Sequence, residues 1–198
     1  MGNRRSRKPT PVSKRATSSS SSGGGGASWV KWLVGGAVVA AIAALVIFIS
    51  KDVSENPQGQ AEPPSGVQTI EVASADHTEE PVDYPTAPPV GGPHDPMWLT
   101  CRVYDEPVRN ESAVHALEHG AVWIAYSPDL DASDVGRIED EFGRSSEVIV
   151  SPYPGLDHPV SVVSWGRLLE MDSVDLGTID QFVRAFRDQT APEAGASC

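Results

Sequence analysis

The hydropathy pattern along the chain changes twice, and each regime predicts a different kind of element. Between Trp32 and Ile49, eighteen consecutive residues (WLVGGAVVAAIAALVIFI) carry no charge. With Trp29 and Val30 just ahead of Lys31, the run is about long enough to cross ~30 Å of hydrocarbon at 1.5 Å per residue. No polar face interrupts it, so a membrane span over 29–50 is expected rather than a buried soluble helix. Farther on the patterns become globular. The continuous apolar run 122–126 (VWIAY) predicts a buried strand. Val135, Ile138 and Phe142 stand at i, i+3 and i+7, which predicts a helix through Gly143 capped by Ser133 or Asp134. Residues 147–151 (EVIVS) read as a second strand, and 160–171 (VSVVSWGRLLEM) as a third, reached through the turn-rich stretch 152–159. A last helix over 175–188 turns Ile179, Phe182, Val183 and Phe186 inward, and Thr178 with Gln181 resembles a capping box.

The order β-α-β-β-α predicts an α/β (α+β) domain with a right-handed parallel crossover followed by an antiparallel hairpin. That is the C-terminal half of a thioredoxin-like architecture; a small α+β sandwich of unrelated topology is the alternative. The chain has no C-x-x-C, so any such likeness is architectural and carries no redox function. Residues 68–113 are irregular, because Pro81, Pro85, Pro88, Pro89, Pro93, Pro96 and Pro107 break any long helix or central strand. Within them, 67–72 suggests a short strand before His77.

Charge adds an orientation. Residues 1–28 hold no acid and collapse into serine and glycine runs at 18–22 and 23–26, the composition of a solvated, disordered basic tail. Seven of the 15 basic residues lie at or before Lys31; the other 8 face all 27 acidic residues, leaving −19 from Ser50 onward. Positive residues stay cytoplasmic, which predicts a cell-membrane protein with its N-terminus inside and its acidic part outside. The run is longer than a signal-peptide core, no A-x-A site follows Ser50, and no cysteine stands just after the run, so an uncleaved anchor is expected. Residues 51–67 then form a flexible stalk, 68–190 the extracytoplasmic globular domain and 191–198 a C-terminal tail. The acidic balance argues against nucleic acid as a partner and leaves an envelope protein or a cation open.

The candidate chemistry centres on His115-x-x-Glu118-His119. Imidazoles four apart share a helix face and can offer two nitrogens to one metal ion. His94, at the end of the stiff turn 88–94, and His77 are the further candidates. The metal set expected is His94, His115 and His119, with Glu118, Tyr104 and His77 in support, and zinc or copper as the ion. The same five positions match the inverted zinc-peptidase pattern, which offers a hydrolase as the alternative. However, Gly120 and a strand follow at once, so the stretch reads as a short turn feeding the strand, and Glu118 as an acceptor for a histidine N–H. A third reading makes the histidines internal hydrogen-bond posts of a structural envelope protein. Tyr84 can line the same pocket, whereas Trp98, Trp123, Trp165, Tyr126 and Met97 read as packing. Cys101 and Cys198, the two cysteines, can pair and pin the tail; a free thiol, a bridge between chains or a Cys101–His94 metal site are the other options. His158, beside Asp157, is expected at the surface.

Three motifs together carry a resemblance. The turn PPVGGPH at 88–94 with Trp98, the segment VYDEPV at 103–108 and VHALEHG at 114–120 resemble an actinobacterial, membrane-anchored family, the domain of unknown function three-one-zero-five. The likeness covers about 68–190. It implies no activity, and a non-catalytic binding or accessory module is the function expected from the residues themselves.

Overall fold

The computed structural model describes Ile42, residues 61–195 and Cys198. The basic tail, nearly all of the apolar run 29–50 and most of the stalk lie outside the described residues. Among the described residues, no helix is long and apolar enough to cross a membrane.

Residues 61–195, with Cys198, form a mixed α/β domain. In chain order the elements are β1 (Gln68–Thr69), α1 (Asn110–Glu118), β2 (Val122–Tyr126), α2 (Ala132–Phe142), β3 (Val148–Pro152), β4 (Val160–Ser164), β5 (Arg167–Met171) and α3 (Leu176–Phe186). The sheet order is β1-β5-β4-β2-β3. β2 and β3 are parallel, joined by the α2 crossover, and every other pair is antiparallel.

Two expectations about this sheet are corrected. The stretch 160–171 is two strands, because Trp165-Gly166 makes a tight turn in which Gly166 takes φ +70°. An added Cβ there would stand 3.1 Å from Ile70 O. In addition, β3 and β4 are not a hairpin: β4 pairs with β2, so the connection 153–159 passes from the edge strand to the far side of β2. Apolar character fixes which strands are buried, but it is equally served by either neighbour.

The sheet is covered on both faces, which is why β2, β3 and β4 are wholly buried and read as unbroken apolar runs. One face carries Val122, Ile124, Val148, Val150, Val160, Val162 and Leu169 against Ile138 and Phe142 of α2 and Ile179, Phe182 and Phe186 of α3. The opposite face carries Trp123, Ala125, Ile149, Val163 and Leu168. It packs against Ala113, Val114, Ala116 and Leu117 of α1, with Val90 and Trp165. The irregular segment therefore serves as the covering layer of the second face. The cap of α3 also differs from expectation: Asp175 accepts from Gly177 N and Thr178 N, while Gln181 donates to Glu62 O. Residues allotted to the stalk take part in the packing, with Ala61 and Val67 against the first core.

The segment beyond α3 is held covalently. Cys101 and Cys198 form a disulfide with a Cα–Cα distance of 5.2 Å, and Cys101 N donates to Cys198 O at 3.1 Å. The bond closes a loop across a sequence separation of 97 and so removes much chain entropy from the unfolded state. Replacing both cysteines by serine is expected to lower unfolding stability by about 2–5 kcal/mol. Denaturant unfolding with and without reductant checks this: reductant should weaken the wild type and leave the double variant unchanged.

Candidate functional site

The site is built on the last turn of α1. This helix is nine residues long, where a short turn was expected. Its apolar side, Ala113, Val114, Ala116 and Leu117, sits at helical spacing against the sheet. It stops at His119 because Gly120 takes φ +103° and Asp188 packs where a Cβ would stand. At about 100° per residue, Glu118 falls roughly 60° to one side of His115 and His119 roughly 40° to the other. Three donors thus fan from one turn.

The loop facing that turn supplies two more. His77 and His94 are joined by a backbone bridge, with Thr78 N donating to His94 O at 2.7 Å and His94 N to Asp76 O at 3.0 Å. The rings of His77, His94 and His115 lie 4.9 Å apart, centroid to centroid, in every pairing. Donor atoms of His77, His94, His115 and Glu118 all fall within 4.8 Å of one another, so this group can hold a metal ion. His94, His115 and Glu118 are buried; His77 is exposed.

Hydrogen bonding fixes what each ring presents. His94 Nδ1 is 2.8 Å from Gly92 O, and His115 Nδ1 is 2.6 Å from Asp95 O. A carbonyl oxygen only accepts, so both Nδ1 atoms carry a proton, and each ring in its neutral form turns a lone pair inward on Nε2. His94 Nε2 then meets Glu118 Oε2 at 2.9 Å, a second electron-rich atom, and His77 Nε2 lies 3.8 Å from the same oxygen. That contact calls for a cation between the partners, either a proton or a metal. Burial holds the His115 pKa below the ordinary histidine value, and the neighbouring His94, His119 and His77 add to this against the opposing hydrogen bond to Asp95 O. His115 is consequently neutral at pH 7, the form that ligates.

A charged clasp holds the loop in place. The Arg109 guanidinium pairs with Asp95 Oδ2, donates to Glu111 Oε2 at 3.1 Å and reaches Glu79 O at 3.0 Å. Glu111 Oε1 accepts from Val82 N at 3.0 Å. Burial opposes the Glu111 charge, but the hydrogen bonds from Val82 N, its own backbone N–H and Arg109 outweigh it and hold the pKa below the usual carboxylate value. Tyr84 donates to Pro93 O at 2.7 Å, and burial together with nearby Glu111 raises its phenol pKa. Gly91, at φ +148°, passes so close to Val72 that a Cβ would stand 2.7 Å from its Cγ2.

Set against expectation, the converging donors are His77, His94, His115 and Glu118. His119 is not in that set, although its Nε2 lies 2.8 Å from His115 Nε2. Helix rotation past His115 is the reason. Tyr104 is not at the cluster: its hydroxyl donates to Thr100 O, Arg102 lies over its ring, and its backbone N–H bonds Val150 O. Trp98, read as packing, is half exposed with its ring 5.4 Å from His115 and 5.1 Å from His119, and Met97 is exposed beside it. His158 bonds Asp172 at 2.9 Å and lines a cleft of about 350 Å³ between the loops 127–131 and 156–159, whose lining residues include none of the cluster. Arg109, Glu111 and Glu193 carried no motif; they became visible through contacts between distant segments.

A mixed α/β domain whose irregular layer and first helix enclose a His/Glu cluster is thus the class of protein defined. Residues 76–198 match the model of the protein family of unknown function DUF3105, and the chain belongs to that family. No curated protein and no solved structure matches the chain.

The clasp sets a pH dependence. Because the Glu111 pKa is depressed in the folded state, the stability it contributes is present above about pH 4.3 and is lost as pH falls through the folded value. Glu111→Gln should therefore destabilise the protein at pH 7 by about 1–3 kcal/mol, with the difference from wild type shrinking under acid. Thermal unfolding of both proteins from pH 7 to pH 3 measures it.

Proposed function

We propose that this protein is a single-pass membrane protein presenting an extracytoplasmic module that binds a transition metal ion, zinc or copper, through His77, His94, His115 and Glu118. The observation that carries the reading is the pair of hydrogen bonds from His94 Nδ1 to Gly92 O and from His115 Nδ1 to Asp95 O. Metal-bound histidines characteristically use the second nitrogen in this way, which orients the ring and fixes its tautomer. A tetrahedral ion with bonds of about 2.0–2.1 Å needs donors roughly 3.3 Å apart. The 2.9 and 3.8 Å separations of Glu118 Oε2 from His94 and His77 straddle that value. Imidazole and carboxylate donors suit zinc and divalent copper.

Holding an ion is better supported than turning over a substrate. Glu118, the residue a hydrolase would use to activate water, is buried and engaged with His94. The cleft at 127–131 and 156–159 lies elsewhere. The strand order, with one parallel crossover and the β4–β5 hairpin, supports the thioredoxin-like architecture, while the absence of C-x-x-C and the pairing of Cys101 with Cys198 give that likeness no redox role. The second reading, histidines as internal hydrogen-bond posts, is favoured by the 2.9 Å contact of His94 with Glu118, which a proton alone can satisfy. Membrane anchoring rests on the uncharged run 32–49 and the change of charge sign across it.

Metal analysis of the full chain, purified without a histidine tag, separates the two readings. Bound zinc or copper near stoichiometric in the wild type and at least about tenfold weaker in His94→Ala supports the metal centre. A metal-free wild type that takes up neither ion leaves hydrogen-bond posts. For topology, protease added to intact cells should remove the acidic domain and spare the N-terminal tail; full protection of the domain overturns the orientation.

A further inference from the structure

We propose a second metal position on the outer side of the same cluster, made by Glu118, His119 and Glu193, so that the centre takes two ions with Glu118 shared between them. This inference rests on the metal reading of the inner set. One donor atom from each of the three residues lies within 4.8 Å of the other two. His119 Nε2 and Glu193 Oε2 are 3.9 Å apart, beyond a hydrogen bond and close to the spacing of two ligands on one ion.

His119 supplies the independent reason. Its side chain is mostly buried, and its Nε2 is matched with His115 Nε2 at 2.8 Å. With the proton of His115 fixed on Nδ1 by Asp95 O, that contact exists because the His115 Nε2 lone pair is free to accept. An ion in the inner position takes that lone pair. Filling the inner position therefore removes the hydrogen bond His119 makes there and leaves a nearly buried imidazole facing Glu193. A second cation between His119, Glu193 and Glu118 meets that need, and a carboxylate has two oxygens with which to serve two ions.

Glu193 is delivered by the fold. Its backbone N–H donates to Glu118 O at 3.1 Å, and Gly195 N donates to Asp188 Oδ1 at 3.2 Å. The Cys101–Cys198 disulfide holds the far end of the same segment. The side chain itself is 61% exposed, so the outer ion would keep water ligands and exchange with solvent, whereas the inner ion is enclosed. The ligand class is a borderline divalent cation, for which zinc is the probe.

Zinc titration of the untagged full chain, followed by equilibrium dialysis with metal analysis, tests this. Two equivalents are expected in the wild type, the second weaker. Glu193→Gln, a change at an exposed side chain, should weaken the second by about tenfold or more and leave the first unaltered. One equivalent in the wild type, untouched by Glu193→Gln and lost in His94→Ala, overturns the outer position and keeps the inner one. Two equivalents that Glu193→Gln does not change overturn it as well. No bound zinc at all overturns the inner reading and this inference with it.

Discussion

Imidazoles and a carboxylate can be buried between a helix and a loop where their nitrogens and oxygens find partners, since an unmatched polar group in the interior costs several kcal/mol. In this domain the demand falls on two backbone carbonyls, Gly92 O and Asp95 O, which receive the Nδ1 protons of His94 and His115. Much of the irregular layer follows from bringing those carbonyls to the end of α1. Gly91 and Gly92 adopt positive φ so that the chain can pass Val72 and turn its carbonyl inward. Asp95 is tied by Arg109, Arg109 by Glu111, and Glu111 by the backbone of Val82. Together these links tie the loops around Val82 and Asp95 to the start of α1.

The same constraint explains the two-sided sheet. α2 and α3 cover one face by ordinary amphipathic packing. The other face has one short helix, so loop segments around Val72, Val90 and Leu99 complete it. A covering layer made largely of loops has many backbone groups to satisfy. Here histidine, aspartate and arginine side chains satisfy part of that need while forming the cluster.

How much of this could be read from the residues depends on the kind of signal. The strands at 122–126 and 148–152 and the two amphipathic helices were legible because burial stamps a period on the sequence. The helix at 110–118 was not: barely more than two turns precede Gly120, and its polar positions are occupied by the site itself, which blurs the amphipathic pattern. The split at Trp165-Gly166 turned on a single glycine. Strand order was illegible where β2 comes to lie between β3 and β4, because hydropathy records burial and not neighbours. At the cluster, His94, His115 and Glu118 stood out as chemistry-bearing residues beside a stiff turn. His77 was a candidate by residue type, and its convergence comes from a backbone bridge to His94, whereas Glu193 depends on chain closure far away in sequence and leaves no local trace.

The disulfide has a consequence for the order in which the centre is completed. His77, His94, His115 and Glu118 are all synthesised before residue 119, and the helix and loop that carry them meet through non-covalent contacts. Glu193 comes to Glu118 on a segment whose far end is fixed when Cys198 finds Cys101. The enclosed donors need the sheet behind α1 but not the disulfide, so the flank that carries Glu193 is the last part to be fixed, at a moment set by the redox potential of the surroundings. In a reducing medium the segment beside the cluster would keep only its hydrogen bonds to Glu118 and Asp188 until oxidation sealed it.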